Sequence, residues 1–238
     1  MKKRYKTVIL SDIHLGKPNN LSNKLLQFLE NCTMERIIFN GDAIDFWQLN
    51  TFGARTEKET RFVNYIIKLI ESGVHVTYIK GNHDGFMKHL HNVHVHNISI
   101  VKDLVYTTAT NKKYYLCHGD KFDFVNDTVG RITNFFYSLL YLLEKRFNKD
   151  IAKEHYVPFS ERSKMRFKRH FFPKKTLHRR AFALAKEKEC DGIIIGHYHM
   201  PDHVKNHTME YFNTGDWIAS CTAVVENEKG ELELIHYK

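Results

Sequence analysis

The chain has no long apolar run, no paired cysteines and no repeats, and each absence narrows its identity. No stretch approaches the ~20 apolar residues of a membrane span. The first apolar run, behind Lys2, Lys3 and Arg4, is only about four residues, too short for a signal-peptide core. The four cysteines (Cys32, Cys117, Cys190 and Cys221) are scattered, with no Cys-x-x-Cys pair. Together these features predict reduced thiols in a cytosolic protein rather than a disulfide framework. No internal repeat or low-complexity linker divides the chain. At 238 residues it is long enough to bury a full core without staples, and it reads as a single domain over 1–238.

Acidic charge is scarce in one place. The formal net charge is +9, yet residues 128–188 alone hold sixteen Lys or Arg against five Asp or Glu, a net of +11, leaving −2 for the rest. A localised basic region points to an anionic partner: phosphate, nucleic acid or a membrane surface.

Short apolar runs recur along the chain. Residues 5–11, 36–40 and 74–79 read as buried strands, separated by amphipathic helices at 19–30 (Leu21, Leu25, Leu26 and Leu29 inward) and 57–72 (Phe62, Ile66, Leu69 and Ile70 inward). Gly73 ends the second helix. This β-α-β-α-β rhythm predicts a layered α/β domain whose strands feed a common edge. Residues 93–118 read as strands of a second sheet, and 210–213, 217–225 and 232–237 as further strands. The predicted architecture is α/β in the layered α+β sense, a two-sheet sandwich with helices outside.

Five of these runs end in the same chemistry. Asp12-Ile13-His14 follows the first. Gly41-Asp42-Ala43-Ile44-Asp45 follows the second, and Gly81-Asn82-His83-Asp84 the third. His118-Gly119-Asp120 follows 114–117, and Gly196-His197-Tyr198-His199 follows 192–195. Loops at the carboxyl ends of such strands are where ligands bind. Each motif alone is commonplace, and Asp-x-His or Gly-Asp is more often a surface or capping element. All five behind buried strands converge on one metal site. Carboxylate, amide and imidazole donors together suit a pair of divalent ions, Mn²⁺ first, with Fe²⁺ or Zn²⁺ as alternatives. Asp42 is the candidate bridge between them.

This set of motifs, over about residues 7–220, resembles the signature of the calcineurin-like metallophosphoesterases. The resemblance implies a β-sandwich flanked by helices. It implies Asp12, His14, Asp42 and His199 around one metal, and Asp42, Asn82, His118 and His197 around the other. It makes His83 the acid or electrophile beside the leaving group and Asp84 the residue that orients it.

A narrower likeness exists. His118-Gly119-Asp120, a helical insertion after it, Gly41 to Trp47, and Asn213-Thr214-Gly215-Asp216-Trp217 with the residues up to Ala223 are similar to the UDP-2,3-diacylglucosamine pyrophosphatases of lipid A synthesis. That group carries Arg where this chain has His83. The likeness implies attack of metal-bound hydroxide on the α-phosphorus of a lipid-linked nucleotide sugar, releasing UMP and 2,3-diacylglucosamine 1-phosphate. A phosphodiesterase or phosphatase acting on soluble nucleotides or phosphoproteins would share the metal site, and a catalytically dead scaffold would be expected to have lost ligands.

The insertion, residues 125–188, reads as helical. Its first half is apolar, with Phe135, Phe136, Leu139, Leu140, Leu142 and Leu143. Its second half interleaves Arg162, Lys164, Arg166, Lys168 and Arg169 with Phe159, Phe167 and Phe171. It either packs on the domain and presents a solvated basic face, or it cradles acyl chains and rests peripherally on the anionic inner face of the membrane. Basic-plus-aromatic texture also fits single-stranded nucleic acid, but no recognised binding module supports that partner. His89, His91, His94 and His96 read as surface and strand residues. Asp45 reads as either a carboxylate behind the ligands or a cap, and Trp217 as core near the site.

Overall fold

The computed structural model describes residues 2–15, 22–43, 57–85, 90, 92–123, 136–144, 146, 159, 163 and 174–238. Two sheets face each other. The first has β1 (Lys3–Leu10), β2 (Cys32–Asn40), β3 (His75–Ile79), β4 (Val93–Val95), β5 (Ile98–Val101), β11 (Thr222–Glu226) and β12 (Leu232–His236), in the order β12-β11-β1-β2-β3-β5-β4. The second has β6 (Leu104–Thr107), β7 (Lys113–Leu116), β8 (Gly192–Ile195), β9 (Asp202–Lys205) and β10 (Glu210–Asn213), in the order β6-β7-β8-β10-β9. Strands β1, β2, β3 and β5 run parallel, as do β7, β8 and β10; antiparallel strands close both sheets at their edges.

The alternation of side chains assigns each strand two buried faces. Ile9, Ile38, Ile79 and Val224 meet Tyr114, Leu116, Ile194 and Phe212 between the sheets. Their neighbours Val8, Leu10, Ile37, Phe39, Val76 and Tyr78 point the other way. There they pack against α1 (Ser22–Glu30), through Leu25, Phe28 and Leu29, and against α2 (Glu57–Glu71), through Phe62. On the far side, Tyr115, Ile193, Ile195 and Tyr211 pack against α3 (Lys174–Glu187). Its buried stripe Leu177, Ala181 and Ala185 keeps the four-residue spacing of one helix face. The layers run helix, sheet, sheet, helix, the sandwich flanked by helices that the sequence predicts.

Several elements differ from their sequence readings. Residues 93–101 were expected in the second sheet; β4 and β5 instead extend the first, because β5 pairs parallel with β3 (Val76 with Ile98, Ile79 with Val101). Residues 217–221 were expected as strand; they form a loop, and strand pairing begins only at Thr222. Asp216 holds that loop by accepting hydrogen bonds from the backbone N–H groups of Ile218, Ala219 and Ser220. Strand β9 carried no legible signal. The last part of the predicted insertion is α3, a layer of the sandwich. Of its earlier part, residues 136–144 are helical, and the basic run 164–170 lies outside the described residues.

Ile194 sits on the middle strand of the second sheet, fully buried between the sheets. Ile194→Ala is expected to cost about 2–5 kcal/mol, read as a lowered urea midpoint, while the folded variant keeps its metal content.

Candidate metal centre

All the functional loops leave parallel strands at one end of the sandwich. The β1–β2 register continues past the strands: Asp12 N–H donates to Gly41 O (3.1 Å), His14 N–H to Asp42 O (2.9 Å) and Leu15 N–H to Ala43 O (2.9 Å). This pairing sets Asp12, His14 and Asp42 side by side. From the second sheet, Gly196 N–H donates to His118 O (2.8 Å), which aligns the loops after β7 and β8. Asp12, His14, Asp42, His197 and His199 all adopt the left-handed backbone region, with φ between 49 and 67°. Such conformations cost of order 1–3 kcal/mol each in a non-glycine residue and persist only where the surroundings enforce them. Close approach explains two motif glycines. A Cβ on Gly41, itself at φ 87°, would lie 2.2 Å from His118 Nδ1, and one on Gly81 would lie 2.1 Å from Asp42 Oδ1.

Two donor clusters result. Asp12, His14 and His199 form one, and Asp42, His118 and His197 the other; in each, a ligand atom from every residue lies within 4.8 Å of the others. Asn82 belongs with the second, its Oδ1 being 3.1 Å from His118 Nε2. Asp42 Oδ2 faces both clusters, 3.2 Å from His118 Nε2 and 4.0 Å from His14 Nε2. Its other oxygen accepts the His83 backbone N–H at 2.9 Å. His83 and Asn82 are exposed at the mouth, and the His83 ring meets His14 edge-on, centroids 5.1 Å apart.

The residues fit divalent metal. Asp12 is fully buried, and its Oδ2 accepts from Ser11 Oγ–H (2.5 Å) and from His197 N–H (2.8 Å). Its Oδ1 accepts no hydrogen bond and looks at His199 Nε2, 3.3 Å away. A buried carboxylate oxygen left in this way is costly unless a cation meets it. Burial disfavours the charge on Asp12, but His199 outweighs it and holds the carboxyl below its usual range. Asp42 is held low in the same way, burial being outweighed by His118 and His83. Burial alone would lower His118; the Asp42 carboxylate instead pushes it up to about 10. His118 Nδ1 donates to Asn40 O (3.1 Å), so its Nε2 is the nitrogen offered to metal.

The structure brings every predicted ligand together, and Asp84 binds the loops that carry them. One of its oxygens accepts from Tyr78 O–H (2.7 Å), and the other from Gly81 N–H (2.6 Å) and Asp42 N–H (3.0 Å), fastening the Gly81 turn to the Asp42 loop. Burial and the Asp42 charge raise its carboxyl to about 6. Trp217 is core, its ring tilted against that of Phe28, and its backbone N–H donates to Asp12 O at 3.2 Å. Among the described residues His94 joins no metal cluster; it is exposed and contacts Ser99 Oγ (2.9 Å). Asp45, His89 and His91 lie outside the described residues.

Ser11, Asp123 and Asp216 escaped the sequence reading. Ser11 Oγ bonds both Asp12 and Thr214. Asp216 Oδ2 is buried without a hydrogen-bond partner, 3.7 Å from His199 Nδ1. The run Asn213 to Trp217 therefore forms the back wall of the site. The Gly-Asp-Trp sequence marked that run, but nothing in it signalled which ligand the Asp would face.

The family model for calcineurin-like phosphoesterases matches residues 5–201. The chain belongs to that family. Membership implies divalent metal, and the two clusters are the candidate sites for it. This phosphoesterase is 30% identical over 131 residues to the UDP-2,3-diacylglucosamine hydrolase of Porphyromonas gingivalis, a match covering 50% of this chain and 47% of that one. It thus spans about half the length of the curated relative it matches. Among solved structures it is similar to a hypothetical protein of Pyrococcus horikoshii, with a TM-score of 0.51 and 11% identity over 99% of this chain and 88% of the other. At that identity the likeness concerns the fold alone.

Asp42→Ala is expected to empty both clusters and His118→Ala only the second, as counted by metal per chain after gel filtration. In the metal-free protein His118, at about 10, carries a proton at neutral pH that metal must expel. Mn²⁺ affinity should therefore rise with pH and fall in acid. Calorimetry in buffers of different ionisation enthalpy should register proton release.

Proposed function

We propose that this phosphoesterase uses a metal pair, Mn²⁺ in the first instance, to split the pyrophosphate of UDP-2,3-diacylglucosamine, releasing UMP and 2,3-diacylglucosamine 1-phosphate. The observation that carries the hydrolytic part is the position of Asp42 Oδ2 between two donor clusters, with an exposed imidazole at their mouth. A divalent pair, when bound, neutralises phosphoryl charge and activates water. The chain's own residues do the rest. Asp12 and Asp42 stay ionised, so the site attracts cations and holds them. The His83 backbone N–H, bonded to Asp42 Oδ1, keeps its ring beside the reacting phosphate. From there the imidazole can protonate the leaving phosphate oxygen, a contribution of ~10²–10⁴ in rate.

The lipid half rests on a surface observation and on the relative's activity. In the helix at 136–144, Phe136, Leu139, Leu140 and Leu143 share one face and are exposed, joined by exposed Leu142 and Phe159. Contiguous exposed apolar area marks a binding surface. With a strongly basic stretch following it in the sequence, it suits acyl chains at an anionic leaflet. No helix among the described residues is long and apolar enough to cross a membrane.

The test is a Mn²⁺-supplemented assay on UDP-2,3-diacylglucosamine in detergent, with bis-p-nitrophenyl phosphate in parallel. UMP release far above the generic diester rate is expected; turnover of the generic diester alone would sink the lipid reading and leave a phosphodiesterase. His83→Ala should keep its metal and lose ~10²–10⁴ in kcat. Leu139→Glu with Leu143→Glu should raise KM for the lipid substrate more than for the generic diester.

A further inference from the structure

The two histidines of the 196–199 loop present opposite nitrogens to the site. His199 offers Nε2, 3.3 Å from Asp12 Oδ1, and turns Nδ1 towards Asp216. His197 offers Nδ1, 3.3 Å from His118 Nε2, and turns Nε2 away to Asp123, whose carboxylate oxygens lie 2.9 and 3.0 Å from it. A neutral imidazole that gives one nitrogen to a metal carries its proton on the other, and the acceptor of that proton fixes both tautomer and ring angle. For His118 the acceptor is a backbone carbonyl on the adjoining strand end, Asn40 O. His197 turns Nδ1 inward, whereas His118 and His199 turn Nε2 inward, and the group at its outer nitrogen is a side chain from another loop.

That loop is built to hold the carboxylate still. Directly after His118, Gly119 (φ 114°) turns the chain into a single 3₁₀ turn, Asp120–Phe122. Phe122 N–H donates to Gly119 O and Asp123 N–H to Asp120 O, both at 3.0 Å. Phe122 is buried against α3, and Arg180 of that helix donates to its carbonyl at 3.1 Å. The chain leaving one ligand thus returns, within a few residues, to face the outer nitrogen of another.

We propose that Asp123 is a positioning residue for the Asp42, His118 and His197 cluster, accepting the Nε2 proton of His197 so that Nδ1 is the nitrogen given to metal. The proposal rests on the two-metal reading above. The Asp123 side chain is 50% exposed, and so exposed an ion pair adds little to folding stability. A variant should therefore fold and report on the metal alone.

The experiment compares wild type, Asp123→Ala and Asp123→Asn as full chains. It titrates Mn²⁺ by calorimetry, counts bound Mn²⁺, and records the spin-coupled Mn²⁺ pair by electron paramagnetic resonance. Wild type should bind two ions. Asp123→Ala should bind the second about 10–100-fold more weakly, lose the coupled signal at limiting Mn²⁺ and regain it at excess, with unchanged melting of the metal-free protein. Asp123→Asn, whose amide oxygen still accepts the Nε2 proton, should keep more of the affinity. Two ions bound equally tightly by wild type and Asp123→Ala would overturn the assignment alone. So would loss of both ions together with a lowered metal-free melting point, which marks a structural role. A wild type that binds fewer than two ions would overturn the two-metal reading, and the assignment with it.

Discussion

Two carboxylates buried side by side govern this structure. Asp12 and Asp42 leave neighbouring parallel strands at the same level, almost without access to water, and like charges so placed repel and lose hydration. Hydrogen bonds from Ser11 and from the backbone of His197 and His83 satisfy one oxygen of each. The other oxygens face imidazoles. Without cations the site is an unfavourable arrangement that the rest of the fold must sustain; with them it becomes a binding centre. Five ligand residues in left-handed backbone conformations are part of the same cost. It is offset by the inter-sheet core behind the site, where Ile9, Ile38, Ile194 and Phe212 are wholly buried.

The sandwich explains why the donors come from such distant parts of the chain. Parallel strands of both sheets end at one edge, and hydrogen bonds between strand ends fix the loops against one another. Asn40 Nδ2–H donates to Ile194 O across the sheets at 3.3 Å, and the Trp217 backbone N–H reaches Asp12 O. The imidazoles then differ by what stands behind them: a carbonyl for His118, Asp123 for His197 and Asp216 for His199. These backing groups decide which nitrogen each ring presents, and so the shape of each cluster.

The layered fold was legible because parallel strands buried on both faces read as short apolar runs, and helices such as Ser22–Glu30 carry a clear one-sided stripe. The assignment of residues 93–101 to the second sheet failed because periodicity reports that a segment is a strand, not which edge it joins. Residues 217–221 misread because Trp217, Ile218 and Cys221 look like strand while the Asp216 side chain captures the backbone N–H groups a ladder would need.

The sequence by itself determined the chemistry of the site, because donor types and their places after buried strands are local properties, and the motif glycines record how closely a ligand approaches. It could not determine which nitrogen of each histidine faces the centre, or that Asp123 stands behind His197 from 74 positions away. Those follow from loop geometry and from strand register between two sheets. Hydrogen bonds there reach 2.9 Å between residues that share no local pattern, so only the tertiary structure could decide them.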